Sequence, residues 1–174
     1  MMIKKLRIYK NFTLILIVSF FVYGCNQMIS TTLPQYAMVM GAQAALIGSV
    51  SGSFGMAALL IRPFSGQLVD NTDKQHLLSF CLSLILLSTI GLILADQIIL
   101  LILFRCVNGL GWGIGSTLCM TIACGSVPED KINSAIGLYS ISQSIMQALG
   151  PSFALYLVNL YGYSMLYFCS FVFV

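Results

Sequence analysis

The chain has 174 residues, of which 59% are hydrophobic and only 7% are charged, and its mean hydropathy is +0.96. Soluble domains carry about 25% charged residues, so this composition excludes an ordinary soluble domain and predicts an integral membrane protein. The net charge of +3 is modest, and basic residues cluster only in the N-terminal tail (Lys4, Lys5, Arg7 and Lys10). A basic surface for nucleic acid is therefore not expected.

Long apolar stretches predict the membrane spans, since a helix needs about 20 apolar residues to cross a bilayer. The first follows the basic tail, as in a signal peptide, but it is too long and lacks a clean cleavage site. We therefore expect it to be retained. The first two spans are expected to end at Pro34 and at Arg62-Pro63. The predicted spans are residues 11–33, 44–62, 76–95, 98–124 and 133–160.

The fifth of these spans requires that the interruption at Gly150-Pro151 is tolerated, which membrane helices allow. Residues 163–174 begin a sixth span that is too short to cross the bilayer. We expect the sequence to stop within that helix. The six cysteines form no C-x-x-C pair and mostly lie in apolar runs, which favours small buried side chains over metal ligands or disulfides.

The distribution of Lys and Arg predicts the orientation. With the N-terminus inside, the tail and the segments 62–75 and 125–132 contain seven of the eight Lys and Arg residues. The outer links, near residues 34–43 and 95–98, contain none. The positive-inside rule therefore predicts a cytoplasmic N-terminus. The eighth basic residue, Arg105, lies within the fourth span.

A charged stretch, RPFSGQLVDNTDKQ, occupies residues 62–75 between the second and third spans. Its Gly-x-x-x-Asp pattern and following lysine resemble the cytoplasmic loop signature of the major facilitator superfamily. The residues assigned to the motif are Arg62, Gly66, Asp70 and Lys74, of which Gly66, Asp70 and Lys74 match the signature. At residues 71, 73 and 75 the stretch departs from the signature and is less basic. The resemblance implies that Asp70 forms part of a cytoplasmic latch between the two halves of a transporter.

Further stretches resemble the same family in the same order. LFRCVNGLGWGIG (residues 103–115) resembles the fourth-helix motif of an arginine followed by glycines. ALGPSFA (residues 148–154) resembles the fifth-helix motif of the family's antiporters through Gly150 and Pro151, although Ala154 replaces a usual glycine. The resemblance implies an all-α membrane protein: the six-helix N-terminal bundle of a twelve-helix fold, with the sixth helix truncated.

Candidate site residues follow from polar side chains within the spans. A charge at the bilayer centre costs at least about 2.5–3.5 kcal/mol on insertion scales, so Arg105 is expected to face the bundle interior or water. Asn108 and Trp112 share its helical face. Polar residues on helices one and five either line a substrate cavity, as the family implies, or bond the helices together: Asn26, Gln27, Tyr139 and Gln143.

The resemblance implies secondary active transport of a small solute by alternating access in the plasma or inner membrane, not an enzyme. Efflux of a drug-like or hydrophobic compound is favoured, and uptake of a sugar or metabolite is the alternative. A further alternative is a non-transporting fragment or a half-transporter subunit. The expected partners are the lipid bilayer and either a missing C-terminal half or a second copy. No cofactor is expected. Proton-coupled transporters commonly use a carboxylate within the membrane, and no acidic residue lies mid-span here. Either the coupling site lies in the missing half or transport is not driven by protons.

Overall fold

The computed structural model describes the backbone of residues 2–173 and the side chains of residues 10–163 and 165–170. Lys4, Lys5 and Arg7 of the predicted basic tail have side chains outside the described residues. The described backbone is helical and contains no strand, so the predicted all-α class is confirmed. Its elements are α1 (Met2–Val39), α2 (Ala44–Asn71), α3 (Lys74–Leu94), α4 (Ile98–Gly125), a short 3-10 helix (Glu129–Lys131) and α5 (Ile132–Phe173).

Four helical segments in the described part are long and apolar enough to cross a membrane. They are Lys10–Val39, Ala44–Asn71, Lys74–Leu94 and Ile98–Gly125. Helix α5 is divided at Gly162, whose φ of 80° and ψ of 176° are not helical. A positive φ of this kind favours glycine. The two parts of α5 lie where the fifth and sixth spans were expected, and the six-helix bundle stays a prediction.

The first two helices extend beyond the predicted ends of their spans. Helix α1 continues through Pro34 to Val39, and α2 continues through Pro63 to Asn71. Helix α5 likewise continues through Pro151. Proline removes one backbone donor, but membrane helices tolerate it where neighbouring groups satisfy the freed carbonyl. The supposed loop from residue 62 is therefore mostly helix, and only Thr72 and Asp73 link α2 to α3.

The helices form two main packing units. Helix α4 packs along α2 and α3, and α1 packs along α5. Helix α1 also contacts α2 and α4, which joins the two units. In the described part of the chain α2 and α5 make no extensive contact with each other. They therefore flank α1 and α4, and α2 is the least buried of the four membrane-length helices.

The glycines of α4 allow this packing because they face two neighbours in turn. A Cβ atom added at Gly109 would lie 2.5 Å from the carbonyl oxygen of Phe54 on α2, and one at Gly113 would lie 2.3 Å from Cγ2 of Ile61. A Cβ at Gly111 would instead lie 3.2 Å from the carbonyl oxygen of Cys81 on α3. The glycine run thus brings α4 close to both helices, as small residues do in membrane bundles.

We expect Gly109→Ala to destabilise the protein by about 1–3 kcal/mol, because the new methyl group would meet the rigid backbone of α2. Gly115→Ala is the matched control, since its Cβ would lie 3.5 Å from Cβ of Cys81, an ordinary contact. The measurement is the melting temperature of each purified variant in detergent. Equal melting temperatures for the two variants would contradict the close approach of α2 and α4.

Candidate functional site

The centre of the candidate site is Arg105, which is 2% exposed on α4. Its Nη1 donates to Oδ1 of Asn26 at 3.4 Å and to Oδ1 of Asn108 at 3.3 Å, and its Nη2 donates to the hydroxyl of Ser30. The guanidinium carbon lies 4.3 Å from the ring centroid of Phe54 on α2. The predicted inward orientation of Arg105 therefore agrees with this geometry.

Among the described side chains, the charged group of Arg105 bonds only to neutral groups. Its hydrogen-bond partners are two amides and a hydroxyl, and its Nε is buried without a partner. The five acidic residues of the chain lie near helix ends or in the links between the long helices: Asp70, Asp73, Asp96, Glu129 and Asp130. A buried charge that is compensated only by dipoles is costly, so this position needs a reason beyond packing.

Asn108 extends the cluster to α3. Its Nδ2 donates to the hydroxyl of Ser88 at 2.9 Å, and that hydroxyl donates to the carbonyl of Ile85 one turn back at 2.8 Å. The bond to its own helix leaves the lone pairs of Ser88 free to accept from Asn108. The network of Asn26, Ser30, Ser88, Arg105 and Asn108, which we call the Arg105 network, therefore joins α1, α3 and α4.

Aromatic side chains lie next to this network. The ring of Trp112 is 5.4 Å from that of Tyr23 on α1 and 6.5 Å from that of Phe54 on α2. These three rings are half-buried, whereas Arg105 is fully buried. The guanidinium thus lies behind a partly open aromatic layer, and Phe54 touches both Arg105 and Trp112.

Other predicted residues make no hydrogen bond to Arg105 among the described side chains. Tyr139, Gln143 and Trp112 line a cavity of about 20 Å³ between α1, α3, α4 and α5, which has room for about one water molecule. Gln27 lies at the crossing of α1 and α5, where a Cβ added at Gly150 would be 3.3 Å from its side chain. Gly150 of the antiporter-like motif thus lets α5 approach α1, and Pro151 follows it within the helix.

Two larger grooves lie at the outer faces of the bundle. One, of about 420 Å³, lies between α1 and α5 and is lined mainly by aromatic and methionine side chains. The other, of about 670 Å³, follows α2 and α4. The cysteines are free, and among the described residues no group of three or more His, Cys, Asp or Glu could hold a metal ion.

The charged motif at residues 62–75 does not form a loop. Arg62, Gly66 and Asp70 lie on α2 and Lys74 begins α3, and all four are exposed. Asp70 is in the last turn of α2, and the latch expected for it stays a prediction. Asp73 caps the next helix: its carboxylate accepts from the backbone N–H of Gln75 at 2.8 Å. The signal available in the sequence was an aspartate, a common N-cap residue, shortly before the apolar run that begins at Leu77.

These features define a multi-pass helical membrane protein with a buried polar network at its centre. A family model of the Major Facilitator Superfamily matches residues 15–174, and the chain therefore belongs to this superfamily. The match confirms the predicted family and supports a function in membrane transport of a small solute, since members of this superfamily are transporters. No curated protein sequence matches the chain.

We expect Ser88→Ala to destabilise the protein by about 1–3 kcal/mol, because it leaves the buried amide of Asn108 without its acceptor. Ser83→Ala on the same helix is the control, since exposed Ser83 bonds only to its own backbone. Thermal unfolding in detergent measures both. A Ser88→Ala variant as stable as Ser83→Ala would exclude a stabilising role for this link.

Proposed function

We propose that the chain is the six-helix N-terminal bundle of a secondary transporter that moves a small solute by alternating access. In this proposal the protein lies in the plasma or inner membrane with its N-terminus in the cytoplasm. The observation that carries the proposal is the buried Arg105 network in a chain of a transporter superfamily. The low charge of the outer links supports the orientation.

The energetics support a functional role for Arg105. Hydrogen bonds between membrane helices contribute about 0.6 kcal/mol each, so the two bonds from Arg105 to α1 return about 1 kcal/mol. The cation–π contact with Phe54 on α2 adds about 0.5–2 kcal/mol. The insertion cost of arginine at depth is at least about 2.5–3.5 kcal/mol. These contacts at most balance the insertion cost, so helix association alone gives little net gain, which favours retention for solute binding or coupling.

The exposed faces of α2 and α5 support a second bundle as partner. Both helices flank α1 and α4 without extensive contact with each other. A Cβ added at Gly48, Gly52 or Gly55 of α2 would meet no atom within 4 Å, so this small-residue face is open for close helix packing. The partner is a C-terminal half or a second copy of the chain.

Efflux of a hydrophobic, drug-like compound is the favoured form of transport. The aromatic layer of Tyr23, Phe54 and Trp112 and the Gly150-Pro151 motif support it. Uptake of a sugar or metabolite is the alternative, and the amides of Asn26 and Gln143 are the groups that would bind hydroxyls. A chain that does not transport would show no flux after reconstitution with its partner half.

We expect Arg105→Ala to leave membrane insertion intact, because it removes a charge that opposes insertion. In the complete transporter the same variant is expected to abolish flux. The measurement is solute flux in proteoliposomes, with the amount of inserted protein determined in parallel. Normal flux at equal protein would remove Arg105 from the mechanism.

We expect Asp70→Asn to slow the transport cycle more than it weakens solute binding. Asp70 lies at the C-terminal end of α2, where the helix dipole disfavours a carboxylate, so it gains from a cation on the partner bundle. Asp73→Asn is the control, because asparagine also caps a helix. Turnover and solute affinity are measured for both variants, and unchanged turnover in Asp70→Asn would exclude the latch.

A further inference from the structure

We infer that the transported solute carries an anionic group and that Arg105 binds it. This inference rests on the proposed transport function and names the chemical class of its solute: an aromatic or otherwise apolar anion such as a carboxylate or sulfonate. The observations that carry it are the uncompensated charge, the unfilled donor on the guanidinium and the aromatic layer beside it.

The hydrogen bonds of Arg105 are weak enough that the guanidinium could donate to a stronger acceptor instead. Charge-assisted bonds from a guanidinium to an anion are about 2.7–2.9 Å long. The bonds to Asn26 and Asn108 measure 3.4 and 3.3 Å, and both acceptors are neutral. Nε has no partner at all within the described structure. An anion that bonds to Nε and one Nη would satisfy the fork geometry of the guanidinium.

The route to Arg105 runs past half-buried side chains. Asn26 and Ser30 on α1 cover the guanidinium on one side, and each is half-buried. Arg105 therefore lies one side chain below an accessible surface. A shift of α1 relative to α4 that breaks the bonds to Asn26 and Ser30 would expose the guanidinium. Arg105 lines none of the three cavities described above, and it is 2% exposed, so in this arrangement the site is closed.

The surroundings favour an apolar body on the solute. Phe54 stacks on the guanidinium, and Trp112 lies against both Phe54 and Tyr23. Flat aromatic faces bind flat apolar groups through burial of surface. The same layer keeps water away from the charge, which strengthens an ion pair formed there.

The charge also selects against cations. A cationic solute at this position would meet the like charge of Arg105. Within the described side chains, the interior of the helices offers no carboxylate to offset that repulsion, because the acidic residues lie near helix ends or in links. The sign of the single buried charge thus predicts the order of affinity: anion first, then neutral analogue, then cation.

The test uses three probes that share one ring system: 2-naphthoate, 2-naphthamide and (2-naphthylmethyl)trimethylammonium. They are titrated against the purified full-length transporter in detergent at neutral pH. Trp112 is the single tryptophan of the chain and lies beside the site, so a fluorescence change of Trp112 in this half reports occupancy. Tryptophans of any partner half are replaced by phenylalanine beforehand.

We expect naphthoate to bind at least about tenfold more tightly than the amide, the factor that one charge-assisted hydrogen bond provides, and the cation to bind most weakly. Arg105→Lys should keep the preference for the anion, and Arg105→Gln should abolish it. Lys10→Gln is the charge-matched control, because Lys10 is exposed near the start of α1; it should keep the wild-type order.

Equal affinity for the three probes in the wild-type protein would overturn the inference, even if no Arg105 variant folds. A preference for naphthoate that persists in Arg105→Gln would overturn it as well.

Replacing chloride by gluconate tests the source of the anion. Competition between chloride and naphthoate supports the site, whereas a chloride effect that naphthoate does not displace means an inorganic ion only and overturns the inference.

Flux measurements separate this inference from the proposed function. Transport of naphthamide without any preference for naphthoate would leave the transport function intact and overturn the anion site. Selective binding of naphthoate through Arg105 without flux of any of the probes would support the anion site and contradict transport of this class of solute.

Discussion

The structure depends on how a single positive charge is accommodated inside an apolar helix bundle. Arg105 is almost fully buried and has no acidic partner in the described structure. Polar groups from α1 and α4 therefore converge on it, and Asn108 is held in turn by Ser88 of α3. This requirement fixes how α1 and α3 are rotated against α4. If α1 turned by half a turn, Asn26 and Ser30 would leave the site and the charge would face hydrocarbon. The charge thus makes the packing of the bundle specific, at a cost in stability.

The glycines of α4 make this arrangement possible. Gly109 and Gly113 face α2, and Gly111 faces α3, so α4 can lie close to both helices over the same two turns. Close approach of α2 brings Phe54 onto the guanidinium, and close approach of α3 brings Ser88 within reach of Asn108. The arginine and the glycines of this motif therefore depend on each other. The glycines bring close the neighbouring residues that the arginine requires.

The sequence predicted those features that follow from composition and spacing. Low charge and long apolar runs are enough to predict the membrane class. The energetic cost of a charge in lipid is enough to predict that Arg105 faces the interior of the bundle. Ser88 and Phe54 were not foreseen, because a serine or phenylalanine in an apolar run is compatible with any rotation of its helix. Only packing determines which face meets α4. The helices continue past the ends expected at Pro34 and Arg62-Pro63, because proline ends helices in water more reliably than in a membrane.

Two aspartates three residues apart, at the junction of α2 and α3, differ in how the nearest helix end affects their charge. Asp70 and Asp73 are both exposed, but the first lies at the negative end of α2 and the second at the positive end of α3. Asp73 is satisfied within the chain, since it caps α3. Asp70 lies where its own helix disfavours it, so any benefit from that residue must come from a group outside α2. The motif match selects Asp70 over Asp73, but it does not say which carboxylate is stabilised by its own helix, whereas the position of the helix boundary does.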